Sequence, residues 1–286
     1  MVASDSEILV KALGRGTRSV TTPGARSRTV PSVDKLQTDE DLNEAGDEIM
    51  LSEEETRLYR SGTARANYLS LDRPDLSIAT RELCRRMCGP TTGDLKALRR
   101  VAQYLADSSR VVYEFAWQAE AGLRVYTDTD FAGCQITRRS TSGGCAMRGD
   151  HLLKHWSTTQ KAVTLSSSEA GLGGIVKGAA EALGLRSLAN DLGINLDLEI
   201  HADSSAALGI CKRSGIGRVR HLAVGQLWVQ ERLRSGDFKL FKVAGAMNPA
   251  DLFTKHLARD LMDQHLQRMS VARSEGRACS APEVSA

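Results

Sequence analysis

The hydrophobic period of this chain changes near Gly122, and that change constrains the fold more than any other feature of the sequence. Apolar residues recur at helical spacing from Leu51 to about Tyr113, whereas short runs typical of strands begin after Gly122. Three such runs follow one another, and the last two form a hairpin that turns at Gly149-Asp150. The sequence therefore predicts an α/β fold that opens with an antiparallel meander of three strands.

The elements predicted after the meander alternate between helix and strand. They are a helix from Ser166 to about Leu192, a strand over 198–202, a short helix over 204–211, a helix over 221–233, a strand over 238–243 and a last helix from Asn248-Pro249 through Leu257. A mixed five-stranded sheet flanked by helices is the natural packing of this order.

The periodicity also predicts how the chain is divided. Residues 1–48 are rich in Ser, Thr, Gly and charge, so we expect a disordered arm. Residues 51–115 are expected to form a small helical module whose first helix is capped by Ser52 and Glu55. The α/β domain is expected over 121–267, followed by a flexible tail over 268–286.

Composition excludes some classes of protein. A hydrophobic content of 41% and a charged content of 26% are ordinary for a globular protein. No apolar run approaches the roughly 20 residues of a membrane span, so no membrane partner is expected. The six cysteines form no CxxC pair and no zinc-type spacing. We therefore expect a reduced, intracellular protein of the cytoplasm or nucleus.

Four acids stand at the ends of predicted elements: Asp128, Glu169, Asp203 and Asp251. Complementing a helix dipole, worth about 0.3 to 1 kcal/mol, would account for Glu169 and Asp251 but poorly for Asp128 and Asp203. Clustered carboxylates suit Mg²⁺, which takes oxygen ligands and substrate phosphates. Two such ions about 4 Å apart promote in-line hydrolysis of a phosphodiester. The spacing thus leaves two interpretations open, helix capping and a nuclease site.

Longer stretches of sequence carry a family resemblance. The run Tyr126-Thr127-Asp128-Thr129-Asp130-Phe131-Ala132-Gly133 is similar to Y-S-D-A-D-W-A-G, and Arg139-Ser140-Thr141-Ser142-Gly143 to K-S-T-S-G, in the ribonuclease H domain of copia-type retrotransposons. The match continues in the same order through 165–170, 201–206 and 248–255. The resemblance implies a ribonuclease H-like fold.

The same resemblance implies an activity and its ligands. The four acids correspond to the family's metal ligands for two Mg²⁺ ions, with Mn²⁺ as an alternative ion, and the reaction is hydrolysis of the RNA strand of an RNA–DNA hybrid. Asp130 shares a face with Asp128 and ranks second to it. The stretch around His221 resembles R-[ST]-K-H-I, which places His221 toward the substrate or leaving group; the alternative is a helix cap.

Contacts to nucleic acid are predicted at two places. Four cations beside His221 would suit a phosphate backbone, although a solvated basic loop is the alternative: Lys212, Arg213, Arg218 and Arg220. Ser168 and Ser204, at strand-to-helix turns, are expected to sense the 2′-hydroxyls of RNA.

Residues 51–115 resemble the segment between the polymerase and ribonuclease H domains of the same polyproteins. The Tyr/Phe-x-Asp-Asp signature of a polymerase is missing, so no polymerase site is expected and the rest of a reverse transcriptase polyprotein is the expected partner. The helix after Glu169 departs from the family's E-A-E-Y by its glycines. The alternative function is an inactive or domesticated remnant that only binds nucleic acid.

Overall fold

The computed structural model describes residues 5–13, 20–25, 49–119, 122–134, 136–215, 217 and 224–274. The chain divides into two compact units, Met1–Ser109 (unit 1) and Arg110–Ala286 (unit 2). Within the described ranges, no helix has the length and apolar character needed to cross a membrane.

Unit 1 is helical in its described part. Helices α2 (Glu53–Leu69) and α4 (Thr92–Asp107) each begin with a capping box, the first formed by Ser52 and Glu55 as predicted. Between them lies α3 (Ser77–Arg85). The Tyr59 hydroxyl donates to the Leu83 carbonyl at 2.7 Å and ties α2 to α3.

A buried ion pair secures the turn before α3. The Arg73 guanidinium lies 2.7 Å from the Asp75 carboxylate, and the Tyr104 hydroxyl donates to the same carboxylate at 2.6 Å. Both charged side chains are almost wholly buried, so each satisfies the other where water has no access. The Arg73-Pro74-Asp75 sequence thus anchors α4 within this unit.

The predicted disordered arm is wrong over 5–13. Residues Asp5–Leu13 form helix α1, whose Leu9 and Leu13 side chains are buried. Gly62 in α2 permits this packing, because a Cβ there would lie 3.3 Å from Leu13 Cδ1 and 2.8 Å from Leu98 Cδ2. Apolar contacts with partners far along the chain therefore order α1, and local periodicity could not reveal them. Residues 26–48 lie outside the described ranges.

Unit 2 contains the predicted mixed five-stranded sheet. Its strands are β2 (Leu123–Asp130), β3 (Thr141–Arg148), β4 (His151–Thr159), β5 (Leu198–Ala202) and β6 (Lys239–Lys242). They lie in the order β4-β3-β2-β5-β6. Strands β2, β3 and β4 form the antiparallel meander, whereas β5 and β6 run parallel to β2. The meander turns at Gly149, whose φ of +59° favours glycine. The expected ribonuclease H-like α/β fold is confirmed.

Helix α5 (Ser167–Asp191) covers one face of this sheet through Leu172, Ile175 and Ala179. Its glycines, which depart from the family pattern, allow a close approach. A Cβ on Gly178 would lie 2.4 Å from Thr127 Cγ2, and one on Gly174 would lie 2.6 Å from Thr129 Cγ2. The helix therefore packs against β2 at a distance that larger residues would prevent.

The opposite face of β2 carries Asp128, because neighbouring side chains on a strand alternate between faces. A 3₁₀ turn, Pro249–Phe253, lies on that face. The Asn248 amide donates to the Thr127 carbonyl at 3.0 Å, and the Ser157 hydroxyl donates to the Phe253 carbonyl at 2.6 Å. These two bonds join the turn to both β2 and β4.

Two predicted helices differ from the observed ones. The last predicted helix, from Asn248 through Leu257, is the 3₁₀ turn followed by a separate helix α8 (Arg259–Arg268). Hydrogen bonds between the 3₁₀ turn and strands β2 and β4 hold the turn in 3₁₀ and not α-helical geometry. The helix predicted over 221–233 is observed as a 3₁₀ turn, Val224–Gln226, and helix α7 (Trp228–Arg234). Residues 218–223 lie outside the described ranges.

The predicted flexible tail over 268–286 is wrong at its start. Strand β7 (Val271–Ser274) pairs antiparallel with β1 (Arg110–Tyr113), and Val271 is buried. The end of the segment predicted as helical, 51–115, is therefore extended and belongs to unit 2. The two strands are more than 150 residues apart in sequence and stabilise each other by pairing. The local sequence pattern therefore does not predict either strand. Residues 275–286 lie outside the described ranges.

Candidate active site

Three of the four predicted acids are held at one edge of the sheet. Thr127 in β2 is paired with Ala202 in the parallel strand β5, so Asp128 and Asp203 follow at the same level. Asp251 comes from the 3₁₀ turn that is bonded to the backbone of β2 through Asn248. The sheet register and this turn thus bring together carboxylates that are far apart in sequence.

The three carboxylates act on one another electrostatically. Burial raises the pKa of Asp203, and the charge of Asp128 raises it further. Burial, together with the charges of Asp128 and Asp203, raises the pKa of Asp251 to about 6, even though Lys255 opposes the shift. An acid with such a pKa binds a proton more readily than an ordinary surface aspartate does.

Lys255 supplies positive charge to this cluster. Its ammonium lies 2.9 Å from Asp251 Oδ1 and 3.3 Å from Asp128 Oδ2. Burial alone would lower the pKa of Lys255, but Asp128 and Asp251 outweigh it and the pKa is raised. The Thr254 hydroxyl donates to Asp128 Oδ2 as well. Asp128, only 6% exposed, therefore has both a cationic and a neutral donor.

Three further residues near the acids had no predicted role, although all lie in the stretch 248–255 that resembles the family: Asn248, Thr254 and Lys255. The signal that could have revealed Lys255 is its position four residues after Asp251, since side chains four apart in a helical turn meet. For Asn248 the only local sign is a preference for helix caps, and its side chain does accept from the Ala250 amide. No local sequence pattern predicts the hydrogen bond from the Asn248 amide to the Thr127 carbonyl of β2.

Glu169 lies in the first turn of α5 and is 7% exposed. Its carboxylate accepts from the Leu165 amide at 2.7 Å, and its own amide donates to the Ser166 hydroxyl. A Cβ on Gly171 would lie 3.3 Å from Ser204 Cβ, so the start of α5 is adjacent to the residue that follows Asp203. The carboxylate of Glu169, the fourth acid, is therefore held by a backbone hydrogen bond at the start of α5.

The structure distinguishes Asp128 from Asp130. A Cβ on Gly133 would lie 1.6 Å from Asp130 Oδ2, so the Asp130 carboxylate folds back over the turn after β2. Asp128 instead faces Thr254 and Lys255. Asp128 is therefore in contact with Lys255 of the cluster, and the ranking of the two acids as metal ligands stays a prediction.

The other predicted site residues are dispersed or undescribed. The Ser168 hydroxyl lies 2.9 Å from that of Ser166, and the Ser204 hydroxyl caps helix α6 (Ser205–Lys212) by accepting from the Ala207 amide. Lys212 is exposed at the end of α6, and the Arg213 guanidinium lies against Gly217. Three of them fall outside the described residues: Arg218, Arg220 and His221.

The fit of a metal ion follows from the donors. Across the ranges that the structure describes, no group of three or more His, Cys, Asp or Glu side chains is arranged as a metal cluster. The donor chemistry does fit a hard cation, because Asp128, Asp203 and Asp251 offer only carboxylate oxygens. In the described arrangement, the positive charge beside two of these acids is the Lys255 ammonium.

Comparison with known proteins gives related polyproteins. The chain is 29% identical over 218 residues to the retrovirus-related Pol polyprotein from transposon RE1 of Arabidopsis thaliana, a match that covers 75% of this chain and 15% of that protein. It is 27% identical over 190 residues to the retrovirus-related Pol polyprotein from transposon TNT 1-94 of Nicotiana tabacum, covering 66% of this chain and 14% of that one. No protein-family model matches the chain.

Among solved structures, the chain is similar to the N-terminal ribonuclease H domain of Rv2228c from Mycobacterium tuberculosis. The identity is 21% and the TM-score is 0.33, over 51% of this chain and 97% of that one. The chain spans about one seventh of the length of the polyproteins that it matches. The homologues of the chain are thus copia-type, retrovirus-related Pol polyproteins of plant transposons, and its mixed five-stranded sheet with flanking helices is a ribonuclease H-like α/β fold.

Proposed function

We propose that unit 2 is a metal-dependent endonuclease that hydrolyses the RNA strand of RNA–DNA hybrids. The observation that carries the proposal is the placement of Asp128, Asp203 and Asp251 at one edge of the sheet, by the register of β2 and β5 and by the turn that Asn248 joins to β2. Three neighbouring carboxylates repel one another and destabilise the protein unless cations bind between them. Sites for phosphoryl chemistry bind Mg²⁺ through carboxylates in this way.

In this proposal Asp128, Asp203 and Asp251 hold Mg²⁺ or Mn²⁺, with Glu169 as the fourth ligand. Bound ions of this kind activate water and stabilise the leaving oxygen of a phosphodiester. The protein's own contribution is orientation. Asn248 fixes the turn that bears Asp251, through its bond to the Thr127 carbonyl. The Ser166 cap fixes the first turn of α5, where Glu169 lies.

The choice of a hybrid rests on position and charge. An A-like hybrid presents its 2′-hydroxyls across a wide, shallow minor groove. The Ser204 hydroxyl, directly after Asp203, accepts one hydrogen bond and retains its own proton for donation. Lys212 is exposed at the other end of α6, where it could contact a phosphate. Both groups therefore suit a nucleic acid that lies along this helix.

Cleavage of a labelled RNA strand in an RNA–DNA hybrid, with and without Mg²⁺, tests the proposal. We expect endonucleolytic products only with the ion. Asp203→Asn keeps the size of the side chain but removes its charge, so the rate should fall on the order of 100-fold or more. Binding of the hybrid should persist, because the cations that contact phosphates are unchanged.

A matched control is Asp197→Asn, the same substitution at an exposed residue before the opposite end of β5. This variant should cleave as the parent does. Binding without cleavage by the parent would instead favour a remnant that only holds nucleic acid. Equal cutting of duplex DNA would exclude selectivity for the hybrid.

The upstream segment and the remainder of a polyprotein enter the proposal as partners. The chain corresponds to a short part of its relatives, and we propose that it acts beside the other parts of a reverse transcriptase. Unit 1 would then serve as a connecting module without chemistry of its own. A pull-down of the chain with a separately expressed polymerase segment of its own polyprotein checks this association.

A further inference from the structure

Lys255 lies among the acids of the cluster. Its ammonium makes ion pairs with two different acids of the cluster, Asp251 at 2.9 Å and Asp128 at 3.3 Å. Asp203 also lies within the electrostatic reach of this ammonium. One lysine thus interacts with three of the four acids to which the proposed function assigns metal binding.

The backbone holds Lys255 in this place. The Lys255 amide donates to the Asp251 carbonyl at 3.0 Å, so the lysine stands one helical turn after the acid. The preceding Thr254 is 3% exposed and donates its hydroxyl to Asp128. The turn that positions Asp251 therefore also positions Lys255, so the lysine belongs to the cluster and is not a surface side chain that reaches it by chance.

We propose that Lys255 is an internal counter-ion, which neutralises the carboxylates of Asp128 and Asp251 in the metal-free protein and competes with the first divalent cation to bind. The inference rests on the proposed function, because it takes these acids as metal ligands. Lys255 is a positioning residue in this scheme and takes no part in the hydrolysis.

Competition follows from charge and reach. An ammonium within 2.9 to 3.3 Å of two carboxylate oxygens repels a second cation that needs the same oxygens. The Lys255 side chain is 37% exposed, and its flexible four-carbon stem can move the ammonium into water. Metal binding therefore breaks two ion pairs, and this lowers the apparent affinity for the ion. In the metal-free protein, the same two ion pairs reduce the repulsion among the carboxylates of the cluster.

Calorimetric titration with MgCl₂, and thermal unfolding with and without the ion, test the proposal in the full chain. Lys255→Met keeps an apolar stem but removes the charge. We expect the metal-free variant to unfold at a lower temperature, because the acids lose their counter-ion. Its Kd for Mg²⁺ should be roughly tenfold lower than that of the parent, since no cation must be displaced. Saturating Mg²⁺ should restore its unfolding temperature.

Lys177→Met is the matched control. Lys177 forms an ion pair of the same four-residue spacing with Glu181 at 2.7 Å, and its side chain is 40% exposed. This variant should keep the parent's Kd for Mg²⁺. Lys255→Arg retains a charge and should also bind Mg²⁺ no more tightly than the parent. If Lys255→Met does not fold, Lys255→Gln removes the charge while retaining a donor to Asp251.

The outcomes separate the two ideas. Equal or weaker binding of Mg²⁺ by the neutral variants, with measurable binding by the parent, would overturn the counter-ion role and leave the metal site intact. Absence of binding in the parent and in every variant would overturn the metal site and the competition together.

Discussion

At the scale of single residues, unit 2 buries a histidine that must remain neutral. His265 in α8 is 3% exposed, and its Nδ1 lies 3.3 Å from an Arg268 nitrogen. Burial and the charges of Arg268 and Lys255 lower the pKa of His265 to about 4. Because its ring faces cations, protonation of His265 would place like charges together in a region that excludes water.

Acid should therefore destabilise the protein through His265. Its pKa is depressed on folding from the ordinary 6.5, so the stability that it contributes is present above pH 6.5 and is lost as the pH falls toward 4. The loss should approach about 1.4 kcal/mol for each pH unit in that window. His265→Gln should lack this component. Urea unfolding at several pH values measures the difference, and parallel profiles of parent and variant would contradict it.

The residues of the site were predicted unevenly. Asp128, Asp203 and Asp251 could be chosen from the sequence because each ends or begins an element and lies in a matched stretch. Lys255 gained its importance only when the 3₁₀ turn placed it against Asp128, 127 positions earlier in the chain. The contributions of His221, Arg218 and Arg220 stay predictions, because they lie outside the described ranges.

At the scale of elements, helix α5 shows how composition can mislead. Each glycine costs about 1 kcal/mol in a helix, so the glycine-rich stretch after Glu169 argues against stability. In the structure, Gly174 and Gly178 face β2, where a methyl group would meet Thr129 or Thr127. Close packing against the sheet offsets the cost of these glycines.

Two alanine substitutions in α5 should therefore have opposite effects. Gly178→Ala places a methyl group 2.4 Å from Thr127 Cγ2 and should reduce the free energy of unfolding by about 1 to 3 kcal/mol. Gly184→Ala meets no atom within 4 Å and should raise it by up to about 1 kcal/mol, through helix propensity alone. Chemical denaturation of both variants measures these changes. A Gly178→Ala protein as stable as the parent would refute the close approach.

Elements with a strong local signal were predicted well. Strand β5 matches its predicted range, and α2 begins at the predicted cap of Ser52 and Glu55, because each has a clear period and clear end signals. Helix α8 and strand β7 were not predicted. The 3₁₀ turn before α8 is fixed by the bond that Asn248 donates to β2 and by the bond that Ser157 of β4 donates to the Phe253 carbonyl, and no local rule contains such bonds.

At the scale of the whole molecule, the chain forms two compact units that meet in sequence at Ser109 and Arg110. The sequence predicted a later boundary, between residues 115 and 121. The difference arises because Arg110 pairs with Ser274, and the side chains of Met269 and Val271 are buried in unit 2. Residues on both sides of the predicted α/β domain therefore contribute to its packing.

This division predicts the behaviour of fragments. A fragment of residues 110–286 should fold by itself with a cooperative thermal transition, since it contains all the strands that the structure describes in unit 2. A fragment of residues 121–267 lacks β1 and β7, together with the buried Met269 and Val271, and should unfold at a clearly lower temperature. Circular dichroism on heating compares the two. Equal transition temperatures would show that the β1–β7 pair adds no stability.

The sequence by itself determined the order of the five strands of the main sheet with helices α5 and α6 between them, the resemblance to copia-type ribonuclease H domains, and the acids at the element ends. These properties depend on periodicity, caps and contiguous motifs, which are local. Only the tertiary structure decided that Lys255 lies beside Asp128, that Asn248 joins the acid-bearing turn to β2, and that β1 pairs with β7. Each of these contacts joins residues more than 100 positions apart, and it forms because strand register and burial bring them together.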